Sequence, residues 1–192
     1  MKKRIISLVL VLCMLLSAVP MVSATETASD PKFVEYNIVL NESIAVNFRL
    51  AGYDGKNFDR VDFVMDGAVA QTVETLKKED DGTYLFRFTE LSPDEMGKPI
   101  TVNVYLQGSD TPVATATKSV KDYAVYVMNS QAYAVEMKTA MMDMLNYGAA
   151  FQQYKAAKAG KELAATELIT SGLTETQKAY ATQTDPELKN IS

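Results

Sequence analysis

Between Phe33 and Thr117 the sequence repeatedly alternates apolar and polar residues with a period of two, and after Ser119 that period changes to a helical one. This change limits the architecture more than any other feature of the chain. A period of two places successive side chains on opposite faces of a strand, whereas a helix needs apolar residues at i, i+3, i+4 and i+7. In the first stretch Val34, Tyr36, Ile38 and Leu40 alternate with Phe33, Glu35, Asn37 and Val39. After the short Asn41-Glu42 break, Ile44, Val46, Phe48 and Leu50 alternate with Ala45, Asn47 and Arg49. Two such runs with a two-residue polar link predict a hairpin.

Further strands are predicted at Arg60 to Met65, Ala68 to Thr75, Thr83 to Thr89, Ile100 to Leu106 and Val113 to Thr117. Asp66-Gly67 is a strong hairpin signal, because a two-residue turn of the twisted kind needs positive φ at both positions. Ser92-Pro93-Asp94-Glu95 reads as a capped helical turn between two strands, ended by Gly97. Seven short strands at this spacing predict an antiparallel β-sandwich. The fold class expected is therefore α+β, a sandwich over residues 31–118 followed by a helical region over residues 119–192.

In the helical region Ser119 and Asp122 form a capping box for a short helix to about Met128, broken at Asn129-Ser130. A long helix is expected from about Gln131 to Ala159, with Gly160 as its stop. Weaker helices are expected over Lys161 to Thr170 and from Thr174 to near Ala181, with an extended exit from Thr184 to Leu188. In the long helix Met137, Ala140, Met141, Met144, Leu145, Gly148 and Gln152 share helical spacing. They are expected, with Met142, to form a core face turned to the β-region rather than an adaptable methionine groove. Tyr147, Phe151 and Tyr154 lie beside that stripe and are expected to widen it by burial.

The N-terminus has the three parts of a secretory signal: basic Met1-Lys2-Lys3-Arg4, an apolar run from Ile5 to Val19, and the exit Val22-Ser23-Ala24. Residues 1–24 are read as a signal peptide and 25–30 as a linker, so a secreted, extracellular chain is expected, with cell-wall association as one option and no membrane partner after cleavage. The single cysteine, Cys13, lies in the apolar run after Leu12, which does not fit a lipoprotein signal. Loss of Lys2, Lys3 and Arg4 takes the formal charge from −5 to −8. An acidic chain without a basic block is a poor partner for nucleic acid.

Histidine and tryptophan are both absent, while tyrosine occurs ten times. Without histidine a Ser-His-Asp triad, a Cys-His pair and the usual zinc sites are excluded. No cofactor and no metal are expected. The acidic turns, Asp54 with Asp59 and Asp62, and Glu79-Asp80-Asp81, lack the ligand spacing of a calcium loop. A glycan hydrolase would need two acids about 5 to 9.5 Å apart across a cleft, and an acidic sequence supplies such pairs by chance. No enzyme is expected.

The candidate binding surface is the polar side of the strands. If Val46, Phe48, Val102 and Val104 point inward, Asn47, Arg49, Arg87, Asn103 and Tyr105 point outward. On one flat face these residues could hold a glycan by hydrogen bonds and stacking. Cover by the C-terminal helices, or plain hydration, is the competing reading.

Val46-Asn47-Phe48, Glu95-Met96-Gly97, the helix start Val120-Lys121-Asp122-Tyr123-Ala124 and the helix Met144-Leu145-Asn146-Tyr147-Gly148-Ala149-Ala150-Phe151-Gln152 form a recognisable series. Leu173-Thr174-Glu175 with Gln177-Lys178 completes it. From about Val39 to Leu188 the chain resembles an uncharacterised module of exported and cell-surface proteins of clostridia-type bacteria. The resemblance implies a β-region with a helical appendix, often part of a longer surface protein, and assigns no catalytic residue. Such modules usually continue into others, whereas Asn190-Ile191-Ser192 carries no sortase-type anchor; a free secreted unit or a truncated frame is expected. The function expected is a non-catalytic accessory module binding glycan or a cell-surface protein, with a ligand-free structural spacer as the alternative.

Overall fold

The structure, a computed structural model, describes residues 30–40 and 43–182. The proposed signal peptide, all of the linker but Asp30, the Asn41-Glu42 connection and the extended exit lie outside the described residues. Among the described residues there are seven strands: β1 Lys32–Leu40, β2 Ile44–Ala51, β3 Phe58–Met65, β4 Ala68–Val73, β5 Tyr84–Leu91, β6 Ile100–Leu106 and β7 Ala114–Lys118. Three helices follow, α1 Val120–Asn129, α2 Val135–Lys158 and α3 Glu175–Lys178, with 3-10 turns at Pro93–Glu95 and Ala165–Glu167. The fold is α+β, with two antiparallel sheets and C-terminal helices.

The sheets have the orders β1-β2-β5 and β4-β3-β6-β7. Alternation selects the buried face of β2, β3, β5 and β6, whereas β1, with a bulge between Phe33 and Glu35, and β4 have no buried residue. Val46, Phe48 and Leu50 of β2, Tyr84, Phe86 and Phe88 of β5, Val61 and Phe63 of β3, and Ile100, Val102 and Val104 of β6 are all buried. Aromatic rings of the two sheets come close to one another, with Phe63 lying 6.0 Å from Phe48 and 5.5 Å from Phe88 between centroids. The expected Asp66-Gly67 turn joins β3 to β4, with φ of 54° and 77° at the two residues.

The free edge of β5 is not left bare. Gln71 of β4 reaches across, its amide N–H donating to the Arg87 carbonyl at 2.8 Å and its oxygen accepting the Thr89 N–H at 3.0 Å. One side chain thus supplies a donor and an acceptor to backbone groups that no strand pairs, which blunts an edge open to association.

Ser119 caps α1 as expected, its Oγ accepting the Asp122 N–H at 3.0 Å while Asp122 accepts the Ser119 N–H at 2.8 Å. Val120, Ala124, Val127 and Met128 form the buried side of α1. Gly160, with φ of 67°, follows the end of α2. Thr174 caps α3 through the Gln177 N–H at 3.2 Å.

Three expectations for the helices are corrected. The buried stripe of α2 is Met141, Met142, Leu145, Gly148 and Ala149, while Met137 is exposed and Met144 only half-buried. This stripe meets α1 and the Pro93–Glu95 turn, and its Met141, Met142 and Leu145 join the same buried cluster as the sheet residues. Gly148 makes the approach possible, because a Cβ there would lie 2.7 Å from the Pro93 carbonyl oxygen and 2.9 Å from Ile169 Cδ1, and also against Met96 Cε. Gln152 fastens the contact, donating to the Asp94 carbonyl at 3.2 Å and accepting the Ile169 N–H at 2.8 Å. Tyr147 and Tyr154, expected to be buried, are 60% and 55% exposed, with Phe151 stacked between them. The stripe's rotation about the helix axis follows from the small residues at Gly148 and Ala149, which admit a neighbour where the tyrosines would not. The helix expected from Lys161 to Thr170 is only the Ala165–Glu167 turn. Only Ile169 of that stretch is buried, and a short helix with no apolar face to bury gains too little to form.

Candidate functional site

The five residues expected to share one polar face fall into two groups on different sheets. Asn47 and Arg49 lie on β2 and Arg87 on β5, with Asn47 opposite both Asn37 and Arg87 in register. They form a continuous network. Arg87 Nε donates to Asn47 Oδ1 at 2.8 Å, and Asn47 Nδ2 donates to Asn37 Oδ1 at 3.0 Å. Asn37 Nδ2 donates to Glu35 Oε1 at 3.2 Å, and Glu35 pairs with Arg49 Nε at 3.4 Å. Arg49 also donates to Thr83 Oγ1 at 3.0 Å and pairs with Asp81 at 3.3 Å. The hydroxyl and N–H of Thr83, helped by Arg49, hold the Asp81 carboxyl below its ordinary range. Asn47 is 7% exposed, so its amide is largely spent on neighbours.

Asn103 and Tyr105 lie on β6, in the other sheet. Asn103 accepts a hydrogen bond from Thr115 of β7. The Arg60 guanidinium lies 4.3 Å from the Tyr105 ring centroid and is itself bonded to Asp62 at 3.0 Å and to Asp59 at 2.5 Å. A single face holding Asn47, Arg49, Asn103 and Tyr105 therefore does not exist. Period two tells which side of a strand a residue faces, but it does not tell which sheet the strand joins.

The acidic turns are also engaged. Asp54 accepts the Lys56 N–H at 2.9 Å, a bond that lowers its carboxyl below the usual range. Among the described residues no group of three His, Cys, Asp or Glu side chains is arranged to hold a metal ion.

A concavity lies elsewhere among the described residues. β1 and β7 are end strands of their sheets, and α1 starts directly after β7. Between β1, the end of β7, α1 and the link to α2 is a cleft of about 740 Å³. Four tyrosines line it in series: Tyr36 from β1, Tyr123 and Tyr126 from α1, and Tyr133 from the α1–α2 link. Their ring centroids follow one another at 5.7 Å, 6.5 Å and 6.1 Å. Tyr123 and Tyr126 are three apart, so α1 presents both on the side not used by Val120, Ala124 and Val127. Tyr36 stands opposite Phe48 in register and stacks on it at 6.4 Å, which anchors the series to the core.

Polar groups rim these rings: Glu35, Asn37, Lys118 and Asp122. Lys118 Nζ lies 5.1 Å from the Tyr36 centroid. Burial first, and then the charge of Asp122 and the neighbouring phenols, push the Tyr36 pKa up to about 12. Burial likewise raises that of Tyr123, with Tyr133 and Glu35 adding to it. The Tyr36 and Tyr123 hydroxyls are therefore held as protonated donors well above neutral pH. A smaller space of about 270 Å³ adjoins the cleft along Phe33, Phe48 and Ala116.

Tyr36 has an observable consequence under alkali. The folded protein keeps the proton where the unfolded chain, with a phenol near 10, has lost it. Stability from this group is full below about pH 10 and falls as the pH rises towards about 12. Ultraviolet titration of tyrosinate in the folded protein should show a late-ionising fraction that becomes smaller by one phenol in Tyr36→Phe. A titration with every tyrosine ionising near its ordinary value would contradict the burial of this hydroxyl.

Sequence reasoning missed this cleft. Only the i, i+3 spacing of Tyr123 and Tyr126 was visible locally; Tyr36 and Tyr133 join them through tertiary structure. No family model matches the chain, and neither a curated protein nor a solved structure matches it.

Proposed function

We propose that this chain is a non-catalytic binding module of an exported bacterial protein, a β-sandwich with a helical appendix that takes a glycan in the tyrosine cleft. The observation that carries this reading is the series Tyr36, Tyr123, Tyr126 and Tyr133 around one open cleft, with Tyr126 57% exposed. Tyrosine offers an apolar ring to the C–H face of a sugar and a hydroxyl to its polar edge. Asn37, Glu35, Asp122 and Lys118 add the few polar groups that orient a ligand in such a space. The sandwich reading draws support from the ring contacts between the two sheets. Export rests on the sequence of residues 1–24, and no described helix is long and apolar enough to cross a membrane.

A hydrolytic role has little support in this cleft. Asp122 accepts the Ser119 N–H at the start of α1, and Glu35 is bound by Asn37 and Arg49. Both carboxylates have structural duties, whereas an acid–base pair needs freedom to exchange protons with substrate.

A glycan-array screen tests the reading with two paired variants. Tyr126→Ala with Tyr133→Ala should weaken any hit at least about tenfold, the usual loss when a central aromatic contact is truncated. Arg87→Ala with Tyr105→Ala, which alters the two sheets away from the cleft carboxylates, should leave the hit in place. A hit kept by the cleft pair and lost by the sheet pair would return the site to the strands. Silence from folded protein would favour the spacer.

A further inference from the structure

We infer that the group this cleft selects is a protonated amine, so that the glycan it takes is an oligosaccharide of unacetylated amino sugars. The inference rests on the glycan reading of the cleft and sharpens it. A tyrosine ring carries a negative face, and several rings around one space attract a cation more strongly than a neutral group. Four rings line this space, together with the carboxylates of Glu35 and Asp122. The negative field of those carboxylates already acts on the rings, Asp122 on the Tyr36 hydroxyl and Glu35 on that of Tyr123.

The cleft also shows that one of its rings accepts a cation. The Lys118 ammonium, on a flexible stem, lies over Tyr36 at 5.1 Å. Lys118 is thus a tethered occupant of part of the cationic subsite and competes with an incoming amine for it. Two other groups bear on the charge balance. Arg49 meets Glu35 at 3.4 Å and offsets part of its charge, while the Ser119 N–H engages Asp122 through Oδ2 alone. Of the two cleft carboxylates, Asp122 is thus the one without a cationic partner among the described residues.

An anionic sugar would reverse this arrangement. It would seek Lys118 and be repelled by Glu35 and Asp122, so removal of Lys118 acts with opposite sign on the two kinds of ligand. That sign is the test. Calorimetric titrations of the protein and of Lys118→Gln would use three probes, the tetramers of glucosamine, N-acetylglucosamine and galacturonic acid, at a mildly acidic pH that keeps the amine charged. The glucosamine tetramer is expected to bind about tenfold more tightly than the other two. Lys118→Gln should tighten it several-fold further, and Tyr126→Ala should weaken it.

Equal or tighter binding of either other tetramer, or weaker glucosamine binding by Lys118→Gln, would overturn amine selection. The glycan cleft would survive that result if Tyr126→Ala still removed the binding seen. Should none of the three bind, an array hit abolished by Tyr126→Ala would retain the cleft and discard the amine. Absence of any array hit from folded protein would discard both.

Discussion

Phe63→Ala is expected to cost about 4 kcal/mol of unfolding free energy, read as a lower urea midpoint and a melting temperature reduced by roughly 8–16 °C. Phe63 lies on β3 and is fully buried, and its ring touches Phe48 of β2 and Phe88 of β5 in the opposite sheet. Truncation removes the transfer free energy of a whole ring. It also leaves a space between two sheets whose hydrogen-bonded ladders prevent them from collapsing freely into it. The pair Phe48→Ala and Phe63→Ala should be coupled, since edge and tilted ring contacts contribute about 0.5–1.5 kcal/mol beyond area. A loss below about 1 kcal/mol, with no coupling to Phe48, would mean that the inner faces of the sheets do not meet there.

Gly148→Ala is the second large effect, and an unusual one because alanine is ordinarily the better helix former. In an exposed helix this change would stabilise by roughly 0.5–1 kcal/mol. Here the new methyl group meets the Pro93 carbonyl oxygen at 2.7 Å, Ile169 Cδ1 at 2.9 Å and Met96 Cε. The two side-chain ends can swing aside, but the carbonyl belongs to backbone held by the Glu95 N–H to Ser92 bond at 2.9 Å and by Gln152 on Asp94. Overpacking of this kind costs about 1–3 kcal/mol, and a net destabilisation of about 1 kcal/mol is expected after the helix propensity gain. Thermal melting of Gly148→Ala beside Ala150→Gly, an exposed position on the same helix, separates the two effects. A melting temperature raised in Gly148→Ala would show that α2 does not lie against the Pro93–Glu95 turn.

These substitutions differ in how far their reasons could be read before the fold was known. The burial of Phe63 follows from alternation within its own strand. The role of Gly148 as a point of close approach needs the partner, and that partner is a turn far away in the chain. The same division separates the candidate sites. Outward orientation was correctly legible for Arg87, whose strand neighbours Phe86 and Phe88 are buried. The grouping of Asn47, Arg49 and Arg87 with Asn103 and Tyr105 was not legible, because β2 and β5 pair in one sheet while β6 pairs in the other. The row Tyr147, Phe151 and Tyr154 misled for a related reason. Aromatic residues at helical spacing widen a buried face only if a neighbour covers them, and here the neighbours sit over Gly148 and Ala149.

The sequence by itself determined what short-range physics controls. Alternation chose the inner side of β2, β3, β5 and β6, Asp66-Gly67 chose a tight turn, and Ser119 with Asp122 and Thr174 with Gln177 chose where helices start. Each of these is a matter of dihedral preference or of a hydrogen bond spanning three residues, and no distant partner is needed. Only the tertiary structure decided which strands share a sheet, which side of α2 is covered, and which four of ten tyrosines surround one cleft. Those outcomes depend on contacts between residues far apart in the chain. Their free energy comes from shared burial of whole faces, which no local window of sequence contains.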